Sequence, residues 1–235
     1  MLDTLTMFGF GPEGWGPAML RAAANTVAVA AAGFALGGGL GILVAWAKIA
    51  GNAPLRWLAA AYTTILRGIP DLLVIYLFYF GSGLLLTPIA NMFGVEGFVS
   101  FPGFVAGMGA IGVVSGAYHA EVIRGAFYSV KAGELEAATA MGMPRLLKFR
   151  RITLPLVARH ALPGLGNVWQ MVLKESALIS VTGLVEIMRQ AQIGSSFPRQ
   201  PFTFYFAAGV LFLTITILSG LIFNRLEHRY SRGRA

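Results

Sequence analysis

The chain has 235 residues, of which 56% are hydrophobic and only 12% are charged, and its mean hydropathy is +0.70. Soluble domains average about 25% charged residues, so the composition excludes an ordinary soluble protein and predicts a polytopic membrane protein. We therefore explain the formal net charge of +8 by the orientation of the chain in the membrane and not, in the first place, by binding of nucleic acid. The lack of cysteine excludes disulfides and thiol chemistry. The histidines, at positions 119, 160 and 228, lack metal-ligand spacing, so no metal site is expected.

The N-terminal part of the chain contains a lead-in and a first predicted span. Residues 1–16 contain no Lys or Arg, which argues against a cleavable signal peptide and favours an extracytoplasmic lead-in. Residues 22–47 are apolar and long enough to cross the roughly 30 Å hydrocarbon core at a tilt. On this span Gly33, Gly37 and Gly41 recur every four residues, a spacing that lets helix backbones approach closely. This face predicts a helix contact, either with another subunit or within the chain.

A second span is predicted from residue 58 to residue 80, and polar and helix-breaking residues interrupt it. Pro70 cannot donate a backbone hydrogen bond. Arg67 and Asp71 are costly inside a membrane, about 2.5–3.5 kcal/mol each at its centre. They are therefore expected to lie near an interface, to pair, or to face a polar cavity. A kink held by local pairing and a place on a substrate path both remain open for these two residues.

The next predicted elements are a connection and a third span. Residues 81–102 are rich in Gly, Pro and Phe and are predicted to connect the spans outside the cytoplasm. The third span covers residues 103–124 and carries Tyr118 near its end. Glu121 and Arg124 lie three positions apart, so they can pair along one helix face. This pairing predicts a structural role for the two charges.

A short polar stretch after the third span is the most distinctive part of the chain. Good helix formers fill its first half, which is predicted to end at Gly142 in a left-handed turn. A second short helix, rich in basic residues, can begin at Pro144. Two short helices joined in this way form a rigid knob that suits a groove on another protein. The residues that carry the pattern are Glu136, Ala137, Ala138, Gly142, Ile152, Leu154 and Pro155.

This spacing resembles the EAA signature of the membrane subunits of bacterial ABC importers. The resemblance implies an all-α polytopic membrane protein with about five transmembrane helices and the MetI-like fold of type I importers. It also implies that the signature residues couple the chain to a cleft in a cytoplasmic ATPase. Arg67-Gly-x-Pro and Tyr118-x-x-Glu-x-x-Arg-Gly resemble the polar amino-acid branch of these permeases. Asp71 after the proline resembles the subgroup for basic amino acids and opines.

The fourth span is predicted from residue 164 to residue 181, and it contains Lys174, Glu175 and Ser176. Adjacent side chains point about 100° apart on a helix, so at least one of the two charges must face a cavity or another subunit. The run Lys-Glu-Ser-Ala-Leu resembles Lys-Asp-Thr-Ser-Leu of the family, with conservative substitutions. Residues 185–192 are then predicted to form a short amphipathic helix outside.

The last predicted span covers residues 202–223, and basic residues orient the whole set. With the N-terminus outside, thirteen Lys and Arg residues fall on the cytoplasmic side and three fall outside. This excess satisfies the positive-inside rule. It predicts one transmembrane domain over residues 1–235 in the bacterial inner membrane, with a periplasmic N-terminus. The coupling region, residues 132–155, and the tail, residues 225–235, are then cytoplasmic.

The chain lacks a Gly-x-x-x-x-Gly-Lys-Ser/Thr sequence, so we expect it to bind no ATP or other cofactor and to be no enzyme itself. The resemblance implies three kinds of partner: a cytoplasmic ATPase dimer, a second membrane subunit (a copy or a paralogue) and a periplasmic substrate-binding protein. No nucleic acid is expected. The substrates it implies are polar amino acids, especially basic ones, or opines. Candidate residues of the substrate path are Arg67, Asp71, Tyr118, Lys174, Glu175 and Ser176.

Two other functions fit part of the sequence. An ion-coupled secondary transporter or channel would use Asp71, Glu121 and Glu175 as proton or ion sites, and it would transport without an ATPase. A membrane scaffold without transport activity would use the coupling region only to recruit an ATPase. Such a scaffold would have no solvent-accessible cavity beside Asp71 and Glu175.

Overall fold

A computed structural model of the chain describes residues 7–11, 14–196 and 199–231. These residues are mostly helical and contain no β-strand, so the predicted all-α fold is confirmed. A π-helical turn, Phe149–Thr153, and a 3₁₀-helix, Ser176–Thr182, precede and follow one of the helices. The α-helices in chain order are α1 (Gly16–Ala50), α2 (Ala53–Gly68), α3 (Asp71–Met92), α4 (Gly103–Tyr128), α5 (Ala132–Ala140), α6 (Arg145–Lys148), α7 (Leu154–Glu175), α8 (Ile187–Ser196) and α9 (Pro201–Ser231).

Four of the described helices are long and apolar enough to cross a membrane, namely α1, α3, α4 and α9. Helix α7 corresponds to the predicted fourth span and has 22 residues. It is not among those four, since polar residues along its whole length lower its mean hydropathy, namely Arg159, His160, Asn167, Gln170, Lys174 and Glu175. By length and composition, four of the described helices are candidate spans, one fewer than the predicted number of about five.

The predicted second span has the wrong boundaries. Ile69 and Pro70 are extended, with ψ angles of 151° and 135°, so α2 ends at Gly68 and a separate α3 begins at Asp71. The physical reason is local, because a proline disfavours helical backbone in the residue before it and cannot donate to the helix ladder. Helix α3 then continues to Met92, so most of the predicted connection at residues 81–102 is helical as well.

The chain divides into two compact units. Unit 1 comprises Met1–Phe34, Pro70–Ile111 and Met171–Ile217, and unit 2 comprises Ala35–Ile69, Gly112–Gln170 and Leu218–Ala235. Helices α1, α4, α7 and α9 contribute segments to both units. The break between α2 and α3 falls where the chain passes from unit 2 to unit 1.

Unit 1 has an apolar core around Phe204. The ring of Phe204 is fully buried, and its centroid lies 5.2 Å from that of Phe8 and 5.6 Å from that of Trp15. Two polar side chains of α1 hold the start of α8. Asn25 Nδ2 donates to the carbonyl of Val185 at 2.9 Å, and the buried Thr26 Oγ1 accepts from the backbone N–H of Ile187 at 3.2 Å. These hydrogen bonds explain the two polar residues in the apolar stretch of α1, residues 22–47.

Unit 2 is built on a close approach of α1 to α4. A Cβ atom added at Gly37 would lie 3.0 Å from the Gly112 carbonyl oxygen and would overlap Ser115 Oγ. A Cβ atom at Gly41 would lie 3.1 Å from the Ala120 nitrogen. In unit 1, Gly33 likewise faces Ile111 of α4. The predicted glycine face therefore lies against a helix of the same chain.

Candidate functional site: the coupling region and two charged clusters

The coupling region, residues 132–155, begins with helix α5 and a sharp turn. The backbone N–H of Met141 donates to the carbonyl of Ala137 at 3.0 Å, and that of Gly142 donates to Thr139 at 2.9 Å. Gly142 has a φ of +75°, a left-handed conformation that costs glycine little and that other residues adopt with strain. The turn predicted at Gly142 is confirmed.

A side-chain contact joins the two short helices of the coupling region. Lys148 Nζ on α6 donates to Thr139 Oγ1 on α5 at 2.8 Å, and the same hydroxyl donates to the carbonyl of Leu135 at 2.8 Å. Pro144 precedes α6, which begins at Arg145, one residue later than the predicted start. The sequence pattern did not indicate this contact, since the turn at Gly142 separates the two side chains along the chain.

The signature residues divide into a support and an exposed face. Ala138 is buried and Ile152 is half-buried, while Glu136, Ala137, Gly142, Leu154 and Pro155 are exposed. Pro155 lies in the first turn of α7 and not before it. Beside them, Met141 and Leu146 are each 78% exposed. A face that combines a carboxylate, small residues and large exposed apolar side chains is typical of a docking surface.

In unit 1, three of the predicted path residues form a charged cluster. Asp71 at the start of α3 and Glu175 at the end of α7 lie close enough for their carboxyl groups to interact electrostatically, and Lys174 adds its positive charge beside Glu175. Two carboxylates this close repel each other unless a proton or a cation lies between them. The neighbouring Ser176 is buried, and its hydroxyl donates to the carbonyl of Leu173 at 2.7 Å. Its hydroxyl thus serves the local helix.

In unit 2, a second cluster surrounds Glu121. Its Oε2 accepts from Arg124 Nε at 3.0 Å and from Nη2 at 2.8 Å, which confirms the predicted pairing on α4. Its Oε1 accepts from Lys48 Nζ at the end of α1, and Lys48 also donates to Thr63 Oγ1 on α2 at 2.5 Å. Lys48 was missed because its partner lies on a helix distant in sequence, for which no local spacing gives a signal.

The remaining two path candidates lie together beside this cluster. The guanidinium carbon of Arg67 is 5.3 Å from the centroid of the Tyr118 ring, a cation–π arrangement. Both residues line a polar cavity of about 380 Å³. The structure thus collects the path candidates into a carboxylate group in unit 1 and a cationic group in unit 2. The lining of the cavity is completed by Lys48, Thr63, Thr64, Gly68 and Glu121.

Comparison with known proteins decides the family. The family described as "Binding-protein-dependent transport system inner membrane component" matches residues 37–232. The chain belongs to this family. As such a component it is a membrane-spanning permease subunit of an ABC importer, and the resemblance read from the EAA spacing is confirmed. The family description also assigns the chain to the inner membrane and makes transport dependent on a binding protein.

Several relatives of this permease subunit match along nearly its whole length. The octopine transport system permease protein OccQ of Rhizobium radiobacter is 57% identical over 99% of this chain and 98% of the relative. The nopaline transport system permease protein NocQ of Agrobacterium fabrum is 48% identical over 97% and 98%. The histidine/lysine/arginine/ornithine transport system permease protein HisQ of Escherichia coli is 37% identical over 94% and 96%.

Solved structures agree with the type I importer fold. The permease resembles a chain from a crystal structure of an amino acid ABC transporter with histidines, with a TM-score of 0.81 and 28% identity over 97% of this chain and 99% of that chain. It also resembles a chain of the methionine ABC transporter MetNI in an inward-facing conformation, with a TM-score of 0.66 and 19% identity over 92% and 95%. The second likeness shows the fold alone.

Proposed function

We propose that this permease subunit imports opines and basic amino acids, and that Asp71 and Glu175 receive the cationic end of the substrate. The observation that carries the proposal is the proximity of these two carboxyl groups in unit 1, close enough for them to interact electrostatically. The names of the relatives support the substrate class, since they include octopine, nopaline, histidine, lysine and arginine transport. Arginine, octopine and nopaline all carry a guanidinium group.

The chemistry of a guanidinium suits the carboxyl pair. Its planar fork donates two parallel hydrogen bonds to a carboxylate, and its charge relieves the repulsion between two carboxylates. Lys174 lies beside Glu175, and its positive charge competes with that of a bound cation. The bound cation can therefore be released again. An importer needs such a compromise, since a substrate held too tightly would not leave.

The coupling region is proposed to dock on a separate cytoplasmic ATPase dimer, which binds ATP and Mg²⁺ while this chain binds no cofactor. The exposed face of Glu136, Met141 and Leu146 supports this assignment. A second membrane subunit completes the path, and a periplasmic binding protein delivers the substrate. The N-terminus is proposed to be periplasmic and the C-terminus cytoplasmic, as the excess of basic residues indicates.

The test is uptake by the complete complex reconstituted in vesicles. We expect Asp71→Asn and Glu175→Gln to lower uptake of labelled arginine and octopine much more than uptake of a neutral amino acid. Glu96→Gln is the matched control, because Glu96 is an exposed carboxylate of unit 1. An equal loss for all substrates, or no loss, would contradict the proposed role. Uptake driven by a membrane potential without ATPase would favour the ion-coupled transporter instead.

A further inference from the structure

Arg67 is a cation whose hydrogen-bond donors find no acceptor among the residues that the structure describes. It lies in the last turn of α2 and is exposed. Within the residues that the structure describes, its neighbour is the Tyr118 ring, and its guanidinium donates no hydrogen bond and joins no ion pair. A guanidinium has five N–H donors in a fixed plane. The ring contact leaves the edges of that plane open to the cavity that Arg67 lines.

The charges around this cavity do not balance. Glu121 is the carboxylate of its lining, and Lys48 and Arg124 each bind one of its two oxygens. These three residues together carry one surplus positive charge, and Arg67 adds another. The carbonyl groups at the C-terminal end of α2 offset about half a charge at most. Because the summed charge of these four side chains is positive, the electrostatic potential in the cavity favours an anion.

We propose that Arg67 binds a carboxylate of the transported substrate and that Tyr118 positions the guanidinium plane. This inference rests on the proposed function, since it takes its ligand from the amino acids and opines named there. Arginine has one carboxylate, and octopine and nopaline have more. A carboxylate accepts two parallel hydrogen bonds from a guanidinium edge, which makes Arg67 a specificity-determining residue. A volume of about 380 Å³ accommodates a carboxylate together with several carbon atoms.

The experiment compares arginine with argininamide, which replaces the carboxylate by a neutral amide. Binding of each labelled ligand is measured on the purified complex of the permease with its partner subunits, without ATP. We expect the wild-type complex to bind arginine at least about tenfold more tightly than argininamide, as a charge-assisted hydrogen bond allows. In Arg67→Gln the ratio of the affinity for arginine to the affinity for argininamide should fall to about one, because only the affinity for arginine decreases. Arg67→Lys should keep part of the ratio, and Tyr118→Phe, which keeps the ring, should keep most of it.

Arg56→Gln is the matched control, because Arg56 is an exposed arginine in the first part of α2. An unchanged ratio of arginine to argininamide in Arg67→Gln, with both affinities lowered equally, would show that Arg67 only ties α2 to α4. A wild-type complex that does not discriminate the two ligands would also overturn the inference, while leaving the proposed function in place. A wild-type complex that binds neither arginine, octopine nor argininamide would overturn the proposed function itself.

Discussion

Lys148 Nζ donates a hydrogen bond of 2.8 Å to Thr139 Oγ1, and this contact joins the two short helices of the coupling region. The helices are otherwise connected by the turn at Gly142 and Pro144. A knob that transmits a movement must keep its shape, so the relative position of α5 and α6 matters for coupling. The contact is exposed, and its contribution to stability is therefore small, on the order of 1 kcal/mol or less.

The first prediction concerns this contact. Lys148→Met should leave the amount of protein in the membrane unchanged and lower the uptake per ATP hydrolysed about two- to fivefold, as expected for a loss of up to about 1 kcal/mol. The measurement is the ratio of uptake to ATP hydrolysis in vesicles. Lys131→Met is the control, because Lys131 is exposed and its side chain makes no cap to α5. An unchanged ratio in Lys148→Met would show that the contact does not position the helices.

The exposed signature residues give a second prediction. Glu136→Lys should uncouple ATP hydrolysis from uptake, because it reverses a charge on the face that is proposed to enter a groove of the ATPase. The matched control is Glu134→Lys on the same helix, since Glu134 is also exposed but lies outside the signature. Uptake is measured in reconstituted vesicles beside ATPase activity. Equal coupling in the two variants would contradict the docking role.

The second prediction extends to Gly142, whose substitution tests the same region through its backbone conformation. Gly142→Arg places a side chain at a φ of +75°, where residues other than glycine are strained by about 1 kcal/mol. The turn should shift and uncouple transport, while the spans stay inserted. Wild-type uptake per ATP in this variant would count against a rigid turn.

The third prediction concerns the glycine face of α1. Gly37→Leu should overpack the contact with α4 and cost about 1–3 kcal/mol or more, because even a Cβ atom would overlap Ser115. Ala35→Leu is the control, since Ala35 is exposed on the same helix. The two variants are compared by their yield of purified protein and by their elution in size-exclusion chromatography in detergent. Similar yields would show that the contact can relax.

A fourth prediction concerns pH. Glu186 lies outside the four candidate spans, and burial raises the pKa of its carboxyl group from 4.5 to about 7, although the N–H groups of Met188 and Arg189 donate to it and lower the pKa. The folded protein therefore holds more protons than the unfolded chain between about pH 4.5 and pH 7. Its stability must fall as pH rises through this range and level off above it.

Glu186→Gln should remove this part of the pH dependence. The thermal unfolding temperature is measured for wild type and for Glu186→Gln at pH 5 and at pH 8. Between these two pH values, the unfolding temperature of wild type should decrease more than that of the variant. Glu96→Gln, which changes an exposed carboxylate, should keep the wild-type dependence. Parallel pH profiles for wild type and Glu186→Gln would contradict a buried, protonated Glu186.

The predicted connection at residues 81–102 shows how tertiary contacts overrode a local pattern. Gly, Ser and Pro88 favour a loop, yet α3 continues to Met92. Ser82 Oγ accepts from the backbone N–H of Phe101 at 3.0 Å, and Thr87 Oγ1 accepts from that of Val99 at 3.0 Å. The true connection thus folds back along α3 and satisfies its own backbone on that helix. Local secondary-structure propensity cannot predict these contacts, because they join residues that are distant in the sequence.

What the sequence by itself determined are features whose cause lies within a few residues. The EAA spacing, the left-handed turn at Gly142, the helix break at Pro70 and the pairing of Glu121 with Arg124 all follow from backbone conformation or from helical spacing. Apolar composition likewise determined the membrane-spanning helices. Such features depend on neighbours along the chain, which the sequence states directly.

The tertiary structure alone decided which distant side chains meet. Lys48 binds Glu121 because the end of α1 packs beside α4, and Asp71 meets Glu175 because the start of α3 lies at the end of α7. Arg67 finds the ring of Tyr118 in the same way. These pairs depend on helix packing, which is the sum of many weak apolar contacts along each helix. No single residue or spacing encodes that sum, so the charged clusters emerge only in the folded chain.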